Sequence, residues 1–391
     1  MDKQLMADLP SRLAKIRRLM AEEGADACLL GDNMNLYYAT GDVFNGYYYI
    51  PSEGEPLFFI KRPCDFDRTG THFIGKPEQI REVLEREGRP MPGKVMLEAD
   101  ETVYSEYVRL QAVFAPAGTG NATPLMKKAR MVKTPWEIGR MRESARKHTE
   151  VYRLIPSLYR SGMTDLQLQY EIEKAMRENG SIGLFRSFGA KMECFMGTIL
   201  AGDNAAATSP FDYALGGKGV PSSPIGAAGE VIKERTTVAV DMAGNYTEYI
   251  SDMTRIFSVG ELPRRAYDIH AVSVAIRDEA ERTAGPGTPC ADIYNMSMRM
   301  ADEAGLASCF MGTVQQAKFV GHGIGLQINE MPVLAPRSKD LLQPGMIFAF
   351  EPKFIVGGVG AVGVEDSFLV TETGLERLTT APDAILPLDG K

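Results

Sequence analysis

Four acidic residues and one histidine interrupt otherwise apolar segments in the C-terminal half of this 391-residue chain. They are Asp241, Asp252, His322, Glu351 and Glu365. A buried carboxylate is unfavourable unless it is paired with a positive charge or bound to a metal. Four converging carboxylates would repel one another, and about four positive charges, the charge of two divalent cations, would relieve the repulsion. The set therefore predicts a metal site, provided that the fold brings its members together.

The spacing of the first two acids favours such convergence. Asp241 and Asp252 lie in two β-rich runs, 237–243 and 249–257, which flank the turn signal Gly244-Asn245-Tyr246. Their midpoint falls within that turn. A hairpin there would place the two acids directly opposite each other, on one face of the sheet.

The second pair of acids repeats this arrangement. Glu351 and Glu365 flank the turn Gly357-Gly358, and their midpoint is residue 358. Each pair alone could also consist of charged residues on solvent-exposed strand faces. Two such pairs, with the glycine-flanked His322 between them, favour the metal site over that alternative.

Composition narrows the classes of protein. The chain is 44% hydrophobic and 24% charged, an ordinary globular mix, and its net charge of −8 argues against nucleic acid or an anionic membrane as the main partner. No apolar run approaches the roughly 18 residues that span a bilayer, and the N-terminus lacks a signal-peptide core. The five cysteines are scattered without a CxxC motif, which predicts reduced thiols and a cytoplasmic location.

The length and the pattern of segments predict two domains. Residues 1–128 form a smaller α/β domain, and residues 129–391 form an α+β domain whose antiparallel strands carry the acids. The predicted elements of the first are helices 10–24 and 77–87 and strands 27–30, 56–60 and 94–97. Those of the second are helices opening at Thr134 and Thr164, helices 264–284 and 291–305, and strands 236–242, 248–258, 346–355 and 361–370. Thr134 with Glu137, and Thr164 with Gln167, have the spacing of capping boxes.

The neighbours of the five residues carry a resemblance to a known family. The matching segments are Val240-Asp241-Met242-Ala243-Gly244, Ser251-Asp252-Met253-Thr254-Arg255, Gly321-His322-Gly323-Ile324-Gly325-Leu326, Phe350-Glu351-Pro352 and Val364-Glu365-Asp366. Their order resembles that of the pita-bread metallopeptidases, which include Xaa-Pro aminopeptidase, prolidase, methionine aminopeptidase and creatinase. The segment 35–41 is similar to the start motif of the two-domain, creatinase-like branch. The resemblance covers nearly the whole chain.

The resemblance implies a C-terminal pita-bread domain, in which all five residues bind two divalent metal ions. Mn or Co is favoured, with Zn or Fe as further options, because carboxylates plus one imidazole suit several of these ions. Glu351 would also shuttle the proton of the attacking water, so the expected activity is hydrolysis of a small peptide or amide, nominally Xaa-Pro. The resemblance also implies a homodimer.

The chain departs from the proline-specific members where they hold the substrate. Asn329 and Lys318 stand where those members have histidines, the stretch around Ser209 lacks a third histidine, and Gly363 stands where they have an arginine. Asn329, Lys318 and Ser209 are therefore the predicted substrate-binding residues.

Two alternatives remain open at this point. One is a non-peptidase of the same fold that acts on a small zwitterion, as a creatinase-like or ectoine-hydrolase-like hydrolase or as a lyase. The other is a non-catalytic binding protein. The intact set of five ligands argues against the binding protein.

Overall fold

The computed structural model describes residues 2–187, 192 and 195–388, so Cys194 lies outside the described residues. The chain divides into two compact units, Met1–Arg130 and Met131–Lys391. Within the described part of the chain, no helix combines the length and the apolar character needed to cross a membrane. The other four cysteines are free thiols.

The N-terminal unit is a mixed sheet with helices. Its helices are α1 (Lys3–Glu22), α2 (Asn33–Thr40), α3 (Gln79–Arg86), α4 (Tyr104–Phe114) and α5 (Ala122–Met131). Its strands are β1 (Ala27–Leu30), β2 (Asn45–Pro51), β3 (Leu57–Arg62), β4 (Thr71–Phe73), β5 (Lys94–Leu97) and β6 (Gly118–Asn121), in the spatial order β4-β3-β2-β1-β5-β6. Its core includes Tyr47 and Tyr49 of β2, which are buried against α3 and α4 side chains such as Ile80 and Phe114.

In its described residues, the C-terminal unit combines four α-helices with three sheets. The helices are α6 (Pro135–Tyr152), α7 (Asp165–Glu178), α8 (Arg264–Thr283) and α9 (Cys290–Glu303). The first sheet has the order β17 (Leu386–Pro387), β9 (Ser251–Val259), β8 (Thr236–Gly244), β7 (Gly197–Ala201). The second has the order β11 (Glu330–Val333), β10 (Gly321–Gly323), β12 (Ile347–Phe350), β15 (Asp366–Val370), β16 (Leu375–Arg377). The third is the two-stranded pair of β13 (Lys353–Val356) and β14 (Gly360–Gly363).

Local capping chemistry fixes the starts of two helices. The Thr134 hydroxyl accepts from the Glu137 backbone N–H, and the Glu137 carboxylate accepts from the Thr134 N–H, so both capping-box bonds are present. The same reciprocal pair forms between Thr164 and Gln167. Both predicted helix starts are therefore confirmed. Helix α1, in contrast, begins at Lys3 rather than at residue 10, because Asp2 caps it by accepting from the Gln4 N–H.

The register of the first hairpin differs from the prediction. Asp241 pairs with Thr254, and Asp252 pairs with Ala243, so the two acids are not directly opposite. The connection between β8 and β9 extends from 245 to 250, which moves the centre of the hairpin past the predicted turn. The offset is an even number of residues, and side chains alternate along a strand, so both acids still point to the same face.

The second hairpin has the predicted centre but broken strands. Lys353 pairs with Gly363, and Phe350 pairs with Asp366, and both pairs are centred on residue 358. The predicted strand 346–355 is two strands, β12 and β13, because Pro352 lacks the N–H that a continuous ladder needs. Glu351 and Glu365 lie at these interruptions, between the paired segments.

Candidate metal centre

The five predicted ligands do converge within the C-terminal unit. Two overlapping groups have ligand atoms that all lie within 4.8 Å of one another. The first group is Asp252, His322 and Glu365, and the second is Asp241, Glu351 and Glu365. Glu365 belongs to both groups and therefore joins them into one site.

Two strands from different sheets and one isolated bridge residue, Glu365, place the first group. Asp252 lies on β9 and His322 on β10, and the His322 Nε2 atom is 3.8 Å from Asp252 Oδ2 and 3.8 Å from Glu351 Oε1. A backbone bond from the Glu365 N–H to the Thr254 carbonyl oxygen (3.2 Å) ties Glu365 to β9. The 3.8 Å separations are too long for hydrogen bonds, but they suit atoms that share one metal ion.

The second group surrounds a residue that the sequence analysis missed. The Lys353 ammonium donates to Asp241 Oδ2 at 2.7 Å, Glu351 Oε2 at 2.8 Å and Glu365 Oε2 at 2.9 Å. Its side chain is 1% exposed. The spacing in the sequence could have indicated Lys353. Residues 351 and 353 are two apart in an apolar segment, and their side chains therefore share a face.

The charges of the site are only partly balanced. Burial, with repulsion by Asp241 and Glu351, raises the pKa of the Asp252 carboxyl well above its usual range. Burial and repulsion by Asp252 raise the pKa of Glu365 in the same way. Burial alone would lower the pKa of Lys353, but the three carboxylates that it contacts outweigh burial and raise this pKa. Four acids thus share the site with a single ammonium, which contacts three of them, and a divalent cation fits the remaining negative charge.

Neighbouring side chains hold the acids in place. The Thr254 hydroxyl donates to Glu365 Oε2 at 2.5 Å, and the Met253 backbone N–H donates to Asp252 Oδ1 at 3.1 Å. The Ser367 hydroxyl donates to the Asp252 carbonyl oxygen at 2.8 Å, which links β15 to β9. The bonds from Thr254 and Met253 each use one carboxylate oxygen and orient the other, as the partners of metal ligands commonly do.

The predicted substrate-binding residues separate into two places. Ser209 and Lys318 line a cavity of about 510 Å³, together with Phe211 and Phe319. The Phe319 ring lies edge-on to the His322 ring, with centroids 6.3 Å apart, so the cavity adjoins the metal-binding group. Lys318 is exposed there.

Ser209 and Asn329 already have protein partners. The Ser209 hydroxyl donates to the Pro224 carbonyl oxygen at 2.8 Å and accepts from the Phe211 N–H. Asn329 Oδ1 accepts from the Ser187 hydroxyl at 3.2 Å, and Asn329 is not among the residues that line the cavity. Lys318 is thus the predicted residue with an exposed charged group at the cavity.

The surroundings of three glycines near the site explain why these positions carry no side chain. Gly323 and Gly325 sit against protein, because an added Cβ would meet the Met331 carbonyl oxygen at 2.0 Å and the Glu330 carboxylate at 2.3 Å. Gly363 has φ +142°, and a Cβ there would lie 2.9 Å from Lys353 Cα. A side chain at position 363 is therefore incompatible with the backbone that holds Lys353.

The remaining histidines of this unit are packing residues. His148 is fully buried on α6, where its Nδ1 contacts the Ser251 hydroxyl at 3.0 Å. Burial lowers the pKa of His148 to about 3. His270 accepts from the Gly363 N–H at Nδ1 and contacts the Asp383 carbonyl oxygen at Nε2. Neither belongs to the two ligand groups.

Comparison with known proteins finds family matches for both parts of the chain. A family model described as Metallopeptidase family M24 matches residues 139–372, and one described as Creatinase/Prolidase N-terminal domain matches residues 12–132. A protein named as an uncharacterized peptidase in Staphylococcus aureus (strain USA300) is 25% identical over 390 residues, which covers 94% of this chain and 99% of that one.

Solved structures share the fold over nearly the whole chain. An Xaa-Pro dipeptidase from Bacillus anthracis has a TM-score of 0.80 at 23% identity, covering 97% of this chain and 100% of that chain. A dipeptidase from Pyrococcus horikoshii OT3 has a TM-score of 0.77 at 26% identity, covering 96% and 100%. Fold and site together define a peptidase-like hydrolase of the pita-bread class, preceded by a creatinase-like N-terminal domain. The M24 model covers more than half of the chain, and the chain belongs to metallopeptidase family M24.

Proposed function

We propose that this protein hydrolyses a peptide or amide bond of a small substrate at the Asp252–His322–Glu351–Glu365 site. The observation that carries the proposal is the approach of Asp252 Oδ2 and Glu351 Oε1 to His322 Nε2, both at 3.8 Å, in a buried acidic site. The similarity to dipeptidases of known structure supports a dipeptide as the first substrate to test.

The donor set fits a divalent metal ion of the Mn or Co type. Asp252, His322 and Glu365 would hold it, with Glu351 Oε1 completing the set. When bound, such an ion lowers the pKa of a water molecule and stabilises negative charge on the substrate carbonyl oxygen. The carboxylates present oxygen and the histidine presents nitrogen, which suits these ions without selecting one of them.

Glu351 is the proposed general base and acid. Its Oε2 atom is held by Lys353, whereas its Oε1 atom faces His322. The fixed carboxylate can take a proton from the attacking water, at the lone pair of Oε1 that does not face the cation, and return it to the amine that leaves. Its burial keeps bulk water away from this transfer, since Glu351 is 3% exposed.

The cavity beside His322 is the proposed substrate site. Phe211 and Phe319 supply apolar surface, and Lys318 supplies a positive charge at the rim. An ammonium in this position complements the terminal carboxylate of a dipeptide. It also complements the carboxylate of a small zwitterion, and small zwitterions are the second candidate substrate class. The observation in their favour is that Ser209 and Asn329, two of the predicted substrate-binding residues, are bonded within the protein.

Replacing Lys318 with Ala is expected to raise KM for a substrate with a free carboxylate by about tenfold, the loss of one charge-assisted hydrogen bond. The turnover number should change little, because Lys318 is not among the ligand groups. The control is Lys339→Ala, which removes an exposed lysine outside the cavity. When the C-terminus of the same substrate is amidated, Lys318→Ala and the unmodified protein should have the same KM. Equal KM values for both lysine variants on the free acid would contradict the assignment.

The activity test is a substrate panel assayed after metal removal and reloading. The protein is stripped with a chelator, reloaded with Mn, Co, Zn or Fe, and given Xaa-Pro dipeptides, other dipeptides, tripeptides and small amidines or amides. We expect cation-dependent hydrolysis of at least one short peptide or small amide. Absence of turnover on the entire panel with every cation, in protein shown to contain metal, would contradict a hydrolase.

A further inference from the structure

The position of Lys353 bears on how many cations this site holds. Its Nζ atom lies 2.7–2.9 Å from one oxygen of each of Asp241, Glu351 and Glu365. Three contacts of that length use all three N–H groups of a protonated amine. The ammonium therefore occupies the centre of the second ligand group, the place that a second divalent cation would take.

The oxygens that face Lys353 differ from those that face His322. Glu351 directs Oε2 to the ammonium and Oε1 to the imidazole. Asp252 directs Oδ2 to the imidazole, whereas Lys353 contacts the carboxylates of Asp241, Glu351 and Glu365. One cation can therefore bind beside His322 while the ammonium stays in place. A cation bound to the Asp241, Glu351 and Glu365 oxygens would instead adjoin the ammonium, where two positive charges repel in a site with little water.

We propose that the site is built for one divalent cation, held by Asp252, His322, Glu351 and Glu365, and that the Lys353 ammonium replaces a second one. This inference rests on the proposed hydrolase function of the same site, because it presumes that the first cation binds. It revises the sequence-based expectation of two metal ions.

The backbone fixes Lys353 in this position. Lys353 is the first residue of β13 and pairs with Gly363 of β14. Its backbone carbonyl oxygen accepts from the Met311 N–H at 2.8 Å. The side chain is 1% exposed, so a rotation out of the site would have to bury the ammonium away from its three carboxylates. The lysine is thus a built-in counter-ion of the site.

The test is the number of bound cations in the full chain and in two Lys353 variants. Mn is added in excess to metal-free protein, unbound Mn is removed, and Mn per chain is measured by mass spectrometry. We expect about one equivalent in the unmodified protein and about two in Lys353→Ala, which frees both the space and the carboxylates. Lys353→Met, which removes the charge but keeps most of the volume, should remain near one equivalent. The exposed Lys233→Ala is the control and should match the unmodified protein.

Electron paramagnetic resonance of the Mn-loaded unmodified protein gives an independent readout. We expect the signal of an isolated Mn ion rather than of an exchange-coupled pair. Because the measurement uses the unmodified protein, it distinguishes one bound ion from two even where a variant does not fold. About two equivalents with a coupled signal in the unmodified protein would overturn the inference and leave the hydrolase proposal standing. One equivalent in both the unmodified protein and folded Lys353→Ala would also overturn it, since Lys353 would not be what excludes the second ion. No bound cation combined with no turnover would remove both proposals.

Discussion

Replacement of Glu351 by Gln is expected to lower kcat for the hydrolysed substrate by roughly 10²–10⁴-fold, the usual effect of losing a positioned acid–base group. The substitution preserves the shape of the side chain and an oxygen for metal binding, but the amide cannot accept the proton of the attacking water. Glu351 is 3% exposed, and its own backbone N–H donates to the Val320 carbonyl oxygen, so its position is fixed independently of its charge.

Metal content separates the two roles proposed for Glu351. A variant that keeps its cation but loses turnover identifies a proton-transfer role, whereas loss of the cation identifies a ligand role. The exposed acid Glu372, replaced by Gln in the same way, serves as the control and should retain full activity. If Glu351→Gln keeps more than about a tenth of the activity, Glu351 is not the general base of this site.

Replacement of Asp366 by Ala is expected to lower the free energy of unfolding of the C-terminal unit by about 3–5 kcal/mol, as for removal of one partner from a buried ion pair. Asp366 is fully buried on β15. Its Oδ1 atom accepts from Arg255 Nη2 at 2.7 Å and from the Thr379 hydroxyl at 2.8 Å, and its Oδ2 accepts from Arg277 Nη1 at 2.9 Å. Without the carboxylate, two buried guanidinium groups lose a shared partner.

This effect reaches the candidate site through β9. The side chain of Arg255 also donates to the Glu365 carbonyl oxygen at 2.8 Å and lies one residue from Thr254, which holds Glu365. Loss of Asp366 should therefore weaken cation binding as well as stability. We expect a lower affinity for Mn in Asp366→Ala than in the unmodified protein, even at temperatures where both are folded.

The chain offers a convenient probe and a matched control for this experiment. Trp136, the single tryptophan, lies on α6 of the C-terminal unit, so its fluorescence during urea denaturation reports on that unit. Asp278 contacts the same Arg277 at 2.7 Å but is 54% exposed, and Asp278→Asn should change stability by less than about 1 kcal/mol. If Asp366→Ala and Asp278→Asn lower the free energy of unfolding by similar amounts, burial of the ion pair does not control its contribution to stability.

The sequence was most informative where structure depends on neighbours along the chain. The capping boxes at Thr134 and Thr164 predicted both helix starts, because the bonds join residues three apart. The alternation of side chains predicted that Asp241 and Asp252 share a face. It could not predict their register, because that depends on the length and path of the connection from 245 to 250.

The sequence was least informative about contacts between distant segments. Lys353 and Asp241 are 112 residues apart, and their 2.7 Å contact depends on the approach of two different sheets. The family resemblance identified the acids and the substituted histidine positions. It predicted no role for a lysine inside a strand. The cavity that joins Ser209 and Lys318 also depends on the tertiary fold, as does the bond that occupies Ser209. Homodimer formation stays a prediction of the resemblance.

The most direct test of the account is a crystal structure of the Mn-loaded protein with anomalous scattering measured at the Mn absorption edge. We expect one peak per chain, at bonding distance from His322 Nε2 and Asp252 Oδ2, with the Lys353 ammonium still in contact with Asp241, Glu351 and Glu365. Two peaks in the site, or a peak at the position of a displaced Lys353 ammonium, would contradict it.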